Sequence, residues 1–276
     1  MSEVDQTEES HRARSSFIRK LVQHTIGSPI VSSEFKNKVP KRIVQFWDDI
    51  ERLPGDVGEC IETWKNAEEQ GIKRLIFDKH QARSFILETL GPRYKQAYDK
   101  CYHPAMQSDY FRLCYIFVEG GCYIDADDAY NGAPIQHLFS DGRLKIQPLC
   151  YDMATNMMVP LSLFAKPSAN AESWIFYFNN NPLIASSGHP LIGHALAQAT
   201  LSLEKDVTNG FPEIQSTTGP GNLTKSIFDA ITENSEIENT LHVLHDWENI
   251  AKNRWDLCYR NDARNWRLSN CRGFQE

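Results

Sequence analysis

Three carboxylates directly follow one short apolar run of this sequence. Within the stretch GGCYIDADDAYNG (120–132), Asp125, Asp127 and Asp128 come immediately after Ile124. Isolated charge at the mouth of a buried strand is costly, so we expect these carboxylates to face solvent, a cation or a ligand. Hard cations such as Mg²⁺ and Mn²⁺ take oxygen ligands, usually carboxylates together with phosphate oxygens and water.

A D-x-D at a strand end is open to three interpretations. It is a polar turn that caps the following loop. It is the motif of a phosphotransferase of the haloacid-dehalogenase type, although here it lies mid-chain and Asp128-Ala129 stands where that family has a small hydroxyl residue. Or it is a divalent-cation site that holds a sugar-nucleotide diphosphate, where the cation stabilises the charge that develops on the leaving diphosphate.

Asp109 and Arg112 lie three residues apart on the stretch that precedes the carboxylates, HPAMQSDYFRLCYIFVEGG. Most of this stretch is apolar, which predicts a buried helix that ends at Gly120-Gly121. Residues three apart lie on one face of a helix. Two such charges form either a buried structural ion pair or a functional pair that faces the site, and the spacing leaves both open.

Strand and helix patterns alternate along the first half of the chain. Predicted strands cover 41–47, 72–78 and 122–126, and predicted helices cover 56–70, 79–91, 92–102 and 103–119. This alternation favours an α/β domain with a largely parallel sheet. Ligands of such sheets bind outside the carboxyl ends of the strands. Because Trp47, Asp78 and Asp125–Asp128 follow predicted strands, we place the site at that edge.

The second half of the chain is richer in β patterns. Strand-like runs cover 143–151, 159–166, 173–186 and 240–245, and helical runs cover 188–205 and 225–232. We divide the chain into an N-terminal arm, partly flexible (1–38), a catalytic domain (39–250) and a C-terminal segment (251–276) that closes on the site. The C-terminal segment carries six Lys or Arg against three Asp or Glu, with Trp255 and Trp266 among them.

Composition excludes several classes of protein. The net charge of −7 argues against a nucleic-acid binder, which would show a basic patch or stripe. No apolar stretch approaches the roughly 20 residues of a membrane span, and the first residues lack the apolar region of a secretory signal. Seven scattered cysteines without a CxxC pair indicate free thiols in a reducing cytoplasm, not a zinc site or a disulfide framework.

Four stretches taken together resemble glycosyltransferase family 32. They are IVQFW, SDYFRLCYIFVEGGCYIDAD, NPLIASSGHP and TGPGNLT, in this order between residues 39 and 245. The family includes initiating mannosyltransferases, bacterial polysaccharide transferases and, more distantly, the glucosylating domains of clostridial toxins. The resemblance implies a GT-A type α/β fold, a Rossmann-like nucleotide-sugar-binding sheet with flanking helices. It also implies a Mn²⁺ or Mg²⁺ cofactor and transfer with retention of anomeric configuration.

The resemblance also implies roles for residues of the first half. Trp47 is similar to the aromatic that stacks on the nucleotide base, although it could equally be a core tryptophan. Asp109 matches the residue that bonds donor hydroxyls, and Arg112 the residue near the sugar and diphosphate. Asp125 matches the acid that contacts ribose or sugar, and Asp127 matches the direct metal ligand. Asp125 is a second candidate ligand of the same metal ion. Asp128 has no counterpart, and we expect it to be solvated.

In the later stretches, Thr218 and Gly219 resemble a loop that offers backbone groups to phosphate. His189 resembles the start of a helix, with a structural or a functional role. His245 and the basic C-terminal segment are the candidates for completing metal and diphosphate binding, and the alternative for His245 is a solvated surface histidine.

The resemblance thus predicts an enzyme that takes sugar from a UDP- or GDP-sugar, and the free thiols place it in the cytoplasm. Its acceptor is a glycan, a lipid-linked glycan or a protein, polysaccharide biosynthesis is one setting, and peripheral contact with a membrane stays open. A non-catalytic relative that binds nucleotide sugars is a further alternative. Two variants test the assignments: we expect Trp47→Ala and Arg112→Ala to impair turnover with little loss of stability.

Overall fold

The computed structural model describes residues 3–25, 38–205 and 210–272. Its strands are β1 (Arg42–Phe46), β2 (Lys73–Phe77), β3 (Gly121–Tyr123), β4 (Asp128–Tyr130), β5 (Leu144–Asp152), β6 (Met157–Met158), β7 (Trp174–Ala185), β8 (Leu241–Val243) and β9 (Ala251–Asn253). Its α-helices are α1 (Glu3–Thr25), α2 (Gly55–Thr63), α3 (Lys79–Leu90), α4 (Pro92–Asp99), α5 (Pro104–Glu119), α6 (Leu161–Phe164), α7 (Pro190–Glu204), α8 (Ile214–Thr217), α9 (Pro220–Glu233) and α10 (Trp266–Ser269).

The main sheet has the order β2-β1-β3-β7-β5-β6, and β8 pairs with β5. Strands β2, β1 and β3 run parallel, whereas β7 is antiparallel to both β3 and β5. The sheet is therefore Rossmann-like at one end and mixed at the other, with helices flanking it. The predicted α/β class, with a Rossmann-like sheet and flanking helices, is confirmed.

The register of β3 and β7 fixes which residues meet at the site. Tyr123 pairs with Leu183 in antiparallel orientation. The residues that follow β3 therefore lie beside those that precede Leu183, which brings Asp125 next to Asn181. The carboxyl end of β1, where Trp47 follows, lies at the same edge because β1 and β3 are parallel.

Helix α5 is buried along most of its length, as the sequence predicts. Tyr110, Phe111 and Cys114 are fully buried in the largest core cluster. The helix ends at Gly120, and the next strand begins at Gly121; both have positive φ angles of 66° and 120°. A Cβ on Gly120 would lie 2.7 Å from a backbone nitrogen, so only glycine fits this turn between helix and strand.

Helix α1 packs on the core through Ile18, Leu21 and Val22. Residues 1–2 and 26–37 of the N-terminal arm lie outside the described residues. The predicted flexibility of the arm therefore stays a prediction. None of the described helices is long and apolar enough to cross a membrane. All seven cysteines lie within the described residues, and none of them forms a disulfide.

Two sequence predictions in the second half were wrong in detail. The strand-like run 159–166 contains the short helix α6, which starts after Pro160. The helix predicted over 225–232 already begins at Pro220, after the N-cap residue Gly219. Pro160 is the N-cap residue of α6, and Pro220 is the first residue of α9. At these positions the missing N–H of proline costs no helical hydrogen bond.

A small second sheet escaped sequence analysis. Strand β4 pairs antiparallel with β9, and Asp128 lies opposite Asn253. Behind this sheet Trp64 stacks between Tyr130 and Trp247, at centroid distances of 4.6 and 6.2 Å. The C-terminal segment (251–276, described to residue 272) therefore starts directly beside the three carboxylates.

Candidate active site

A cleft of about 180 Å³ opens at the carboxyl ends of β1 and β3. The residues that sequence analysis proposed and that line it are Trp47, Asp109, Arg112, Asp125 and Asp127. Helix α5, the loop after β3 and the loop after β1 supply them. The structure therefore brings these five side chains together at the predicted edge of the sheet.

Arg112 is the central cation of the cleft, with a side chain only 3% exposed. Its Nη2 atom lies 3.0 Å from Asp109 Oδ1 and 2.8 Å from Asp125 Oδ1. Its Nη1 donates to the carbonyl of Asn180, and its guanidinium lies 4.4 Å from the ring centroid of Tyr123. Arg112 is thus both a buried structural ion-pair partner and a residue of the cleft wall.

Asp109 is buried and shared between two partners. Its Oδ1 accepts a hydrogen bond of 2.8 Å from the Asn180 side chain and lies beside Arg112. Burial raises the pKa of Asp109, and the nearby Arg112 guanidinium opposes this rise. The pair fixes the orientation of the Asp109 carboxylate at the cleft.

Asp125 is held by its backbone as well as by its side chain. Its N–H donates to Asn181 Oδ1 at 3.0 Å, and its Oδ1 accepts from Arg112. Burial raises the pKa of Asp125 to about 7, with Arg112 opposing the rise and Asp127 and Asp128 adding to it. Burial is therefore the main reason why this carboxyl group holds its proton more strongly than a free aspartate.

The two carboxylate oxygens of Asp127 differ in their hydrogen bonding. Its Oδ2 accepts from Tyr259 Oη at 2.7 Å and from Arg260 Nη2 at 2.5 Å. Its Oδ1 is buried and accepts no hydrogen bond from any residue that the structure describes. A buried acceptor without a partner is costly, and a ligand that binds it would remove that cost.

These acids fit a divalent cation. Asp127 Oδ1 supplies an unused carboxylate oxygen, and Asp125 lies two residues away. Within residues 3–25, 38–205 and 210–272, no three His, Cys, Asp or Glu side chains converge on a complete metal site. A hard cation at Asp125 and Asp127 would therefore take its remaining oxygens from a bound phosphate and water, as Mg²⁺ usually does.

Asp128 is not solvated, as we had expected, but is only 1% exposed. Its Oδ2 accepts from Asn181 Nδ2 at 2.9 Å, and its Oδ1 accepts from Asn253 Nδ2 at 3.1 Å. Its carbonyl accepts from the Trp64 indole. Burial raises the pKa of Asp128 to about 6, and the charge of Asp127 adds to the rise. Asp128 therefore organises the strand end from behind.

Trp47 lines the cleft but is only 8% exposed. It packs in a small core cluster that includes Val57 and Leu257. The edge of Tyr259 meets its ring at a centroid distance of 5.3 Å, and the Arg264 guanidinium lies 5.6 Å from its centroid. A base could stack on Trp47 only in place of these side chains.

Thr218 and Gly219 lie behind Asp109. Both of their N–H groups donate to the carbonyl of Ile214. A Cβ on Gly219 would lie 3.0 Å from Asp109 Oδ2, so this glycine permits the close approach of α9 to α5. The two N–H groups that we had offered to phosphate are already used within the fold.

The two histidines lie outside the lining of the cleft. His189 is fully buried at the start of α7, where its Nε2 accepts from the Leu144 N–H at 3.1 Å. His245 is half-buried, and its Nε2 contacts the carbonyl of Val22 at 3.1 Å. The structure thus does not bring His245 to Asp125 and Asp127.

Asp78, which follows β2 at the same edge of the sheet, is not among the residues that line the cleft. Its side chain instead caps helix α3 in a capping box.

Sequence analysis missed most of the remaining lining residues. Ser108 and Asn180 contact Arg112, while Tyr259, Arg264 and Trp266 come from the C-terminal segment. The basic and aromatic composition of that segment was the available signal. It could not identify that Arg260 faces Asp127, because these two residues lie 133 positions apart.

Comparison with known proteins agrees with this geometry. The family described as a glycosyltransferase sugar-binding region containing a DXD motif matches residues 54–141. This region of the chain is therefore similar to glycosyltransferases that carry a DXD motif. The matched residues include Asp109, Arg112, Asp125 and Asp127, and the family resemblance inferred from the sequence motifs is confirmed.

Two individual proteins are similar to this chain. An uncharacterized glycosyltransferase of Acanthamoeba polyphaga mimivirus is 28% identical over 90 residues, which are 32% of this chain and 36% of that protein. The chain thus matches about a third of the length of that relative. The solved structure of the PaToxG glycosyltransferase aligns over 84% of this chain and 81% of its own, with 16% identity and a TM-score of 0.48.

Proposed function

We propose that this chain is a retaining, divalent-cation-dependent hexosyltransferase. It moves a sugar from a UDP- or GDP-sugar to a glycan, a lipid-linked glycan or a protein. The cofactor is Mn²⁺ or Mg²⁺. We also propose a cytoplasmic location, which the unpaired cysteines favour. The division into an arm, a catalytic domain over 39–250 and a C-terminal segment is part of the same proposal.

The observation that carries the proposal is the buried oxygen of Asp127, which has no partner among the described residues, in a cleft that also holds Arg112. An anionic ligand alone would be repelled by Asp125 and Asp127. A ligand that brings a cation with it satisfies the Asp127 oxygen and also places negative charge beside the guanidinium. A metal-bound nucleoside diphosphate has both properties.

Each residue then has a role that follows from its contacts. A cation at Asp125 and Asp127 would stabilise the negative charge of the departing diphosphate. Arg112, fixed by Asp109, Asp125 and Asn180, adds a second positive charge that is already oriented before the donor arrives. Asp109 faces the cleft from the same helix and would accept hydrogen bonds from donor hydroxyls.

Retention is taken from the family resemblance, because carboxylates such as Asp48 and Asp109 line the cleft and are chemically able to act as a base. No Ser–His–Asp or Cys–His pattern is evident in the sequence, and the described lining of the cleft contains neither histidine nor cysteine. In a front-face mechanism the leaving phosphate itself takes the proton from the acceptor hydroxyl. The residues of the chain then bind and orient the two substrates and exclude water.

The phosphotransferase alternative finds less support. It needs the first acid of the D-x-D as a nucleophile, but Asp125 Oδ1 is engaged by Arg112 at 2.8 Å. A non-catalytic sugar-nucleotide binder would use the same cleft, so only turnover separates it from the proposed enzyme.

The test is a screen of UDP- and GDP-sugars with Mn²⁺. A donor at 100 times its Kd stabilises the folded chain by about 2.7 kcal/mol, which raises the unfolding temperature measurably. Donors that bind are then tested for slow hydrolysis, and NMR of the released sugar reports the anomer formed first. We expect the anomer of the donor.

For the acid-to-amide variant Asp127→Asn, the matched control in these assays is Glu88→Gln, because Glu88 is an exposed acid on α3 outside the cleft. It should behave like the wild type in both assays. Release of inverted sugar would contradict retention. Binding without hydrolysis or transfer to any acceptor would favour the non-catalytic relative.

A further inference from the structure

We propose that Arg260 is a placeholder for the cation. Its guanidinium occupies Asp127 until a divalent cation arrives, and the exchange releases the C-terminal segment from the cleft. Arg260 then becomes a ligand of the donor diphosphate. This inference rests on the proposed function, because it assumes that a cation binds at Asp127.

The contacts at Asp127 carry the first step. Arg260 Nη2 and Tyr259 Oη both bind Asp127 Oδ2, and the side chains of Arg260 and Asp127 are only 13% and 11% exposed. The other oxygen of Asp127 has no partner among the described residues. A guanidinium that contacts this carboxylate would repel a divalent cation that binds to the same carboxylate. The two cations therefore compete for one acid.

The same segment covers the second part of the proposed donor site. Arg264 lies over the ring of Trp47, where a nucleotide base would stack, and the edge of Tyr259 meets that ring. The cleft of about 180 Å³ is below the ~300 Å³ at which pockets for drug-sized ligands begin. A whole nucleotide sugar thus enters only if this segment moves.

The segment is anchored on both sides of Arg260. On one side, β9 pairs with β4, and Asn253 joins Asp128 to Arg260 through its two amide atoms. On the other side, Ser269 Oγ lies 2.8 Å from His103 Nε2. Residues 254–264 lie between these two anchors. Within them Leu257 is buried and the Cys258 N–H donates to Asp56, so a shift of Tyr259 and Arg264 away from the cleft must also break these contacts.

These anchors also determine where Arg260 goes. Asn253 keeps the guanidinium near the strand end after Asp127 has released it. A guanidinium binds phosphate oxygens with a fixed fork of N–H groups. The released Arg260 is therefore placed to bind the diphosphate that accompanies the cation.

The experiment measures Mn²⁺ binding directly, by electron paramagnetic resonance of the free ion, without donor or turnover. Arg260→Ala should bind Mn²⁺ about tenfold more tightly than the wild type, because the competing cation is gone. Arg260→Lys keeps the charge and should stay near the wild type. Arg254→Ala is the matched control, because the Arg254 side chain pairs with Asp256 and Glu59, and its contact with Asp127 is made by the backbone N–H, which alanine retains.

A second measurement adds UDP and, separately, GDP at saturating Mn²⁺. Here the effect of Arg260→Ala should reverse, with nucleoside diphosphate affinity about tenfold weaker, since a phosphate ligand is lost. In the wild type, Mn²⁺ alone should speed hydrogen exchange of the amides of 254–264. This last readout needs no variant and stands even if Arg260→Ala fails to fold.

Asp127→Asn separates this inference from the proposed function. If Mn²⁺ binding survives Asp127→Asn, no cation sits at this acid, and both the metal site and the placeholder are wrong. If Asp127→Asn abolishes Mn²⁺ binding but Arg260→Ala binds it like the wild type, the placeholder alone is overturned. Unchanged hydrogen exchange at saturating Mn²⁺ would also overturn it.

Discussion

Arg112 and Asp125 form an ion pair of 2.8 Å between helix α5 and the loop that follows β3. The pair joins the last buried helix before the site to the first acid of the D-x-D. Since Arg112 also contacts Asp109 on its own helix, one guanidinium sets the positions of two candidate donor ligands.

The first prediction concerns Arg112→Ala, and it revises our expectation of an unchanged stability. Arg112 is buried against two acids, so its removal leaves uncompensated charge and should cost on the order of 3–5 kcal/mol of unfolding free energy. We also expect kcat/KM to fall by about 100-fold, or roughly 2.7 kcal/mol. Arg112→Lys keeps the charge but not the fork and should recover part of both. Normal kinetics in the folded fraction would leave Arg112 a purely structural role.

The second prediction concerns Trp47, which the structure places in a core cluster. Trp47→Ala should destabilise the chain by about 3–5 kcal/mol, contrary to our expectation of little change, because it leaves a large cavity. Trp47→Phe preserves most of the packing and is the better probe of base stacking, which is worth roughly 1–3 kcal/mol. We expect it to raise the donor KM severalfold with a small change in Tm. An unaltered KM would make Trp47 a core residue only.

The third prediction concerns the cation. Turnover should require Mn²⁺ or Mg²⁺, and Asp127→Asn should lower kcat by about 100-fold or more. The variant should also lower the Tm, because it leaves the buried Arg260 guanidinium without its carboxylate, so kcat is measured on the folded fraction. Added EDTA should stop the reaction, and excess Mn²⁺ should restore it. Full activity in excess EDTA is the result that would contradict cation dependence.

The fourth prediction concerns Asn181, whose side chain joins Asp125 to Asp128. Asn181→Ala leaves the Asp125 N–H and one oxygen of Asp128 without this partner, and each loss should cost about 1–3 kcal/mol. Asn179→Ala on the same strand is the matched control, because its amide makes a long contact of 3.5 Å with Gln147. Thermal unfolding of both variants tests the difference. Equal Tm values would show that Asn181 does not hold the acids.

The fifth prediction concerns His189 and pH. Burial lowers the pKa of His189 to about 4, whereas an unfolded histidine has a pKa near 6.5. The neutral ring therefore stabilises the fold fully above about pH 6.5, and this contribution, about 3 kcal/mol at most, is lost as pH falls towards 4. The loss has a structural cause, since a doubly protonated ring cannot accept from the Leu144 N–H.

The measurement is the Tm of wild type and His189→Gln between pH 7 and pH 5. The buried acids Asp125 and Asp128 titrate in both chains, so their contributions cancel in the comparison. The wild type should lose more stability over this interval than the variant. Parallel Tm curves would exclude His189 as the titrating group.

The sequence predicted those parts of the site that depend on local patterns. Asp109 and Arg112 share a helix face, and Trp47 and Asp125 follow parallel strands, so periodicity and the rule for sheet edges sufficed to bring them together. The burial of Asp128 was unpredictable because its partners Asn181 and Asn253 lie 53 and 125 positions away. The same holds for Arg260 on Asp127. Long-range pairings of side chains leave no periodic trace in a single sequence.

The pairing of β4 with β9 has a consequence for synthesis of the chain. A ribosome makes Asp127 133 positions before Arg260. At about 5–20 residues per second, this delay is on the order of ten seconds. During that time the acidic strand end has already been made, while the strand and the arginine that cover it have not. The nascent chain therefore offers Asp127 to the ions of its surroundings before any arginine of its own C-terminal segment can reach it.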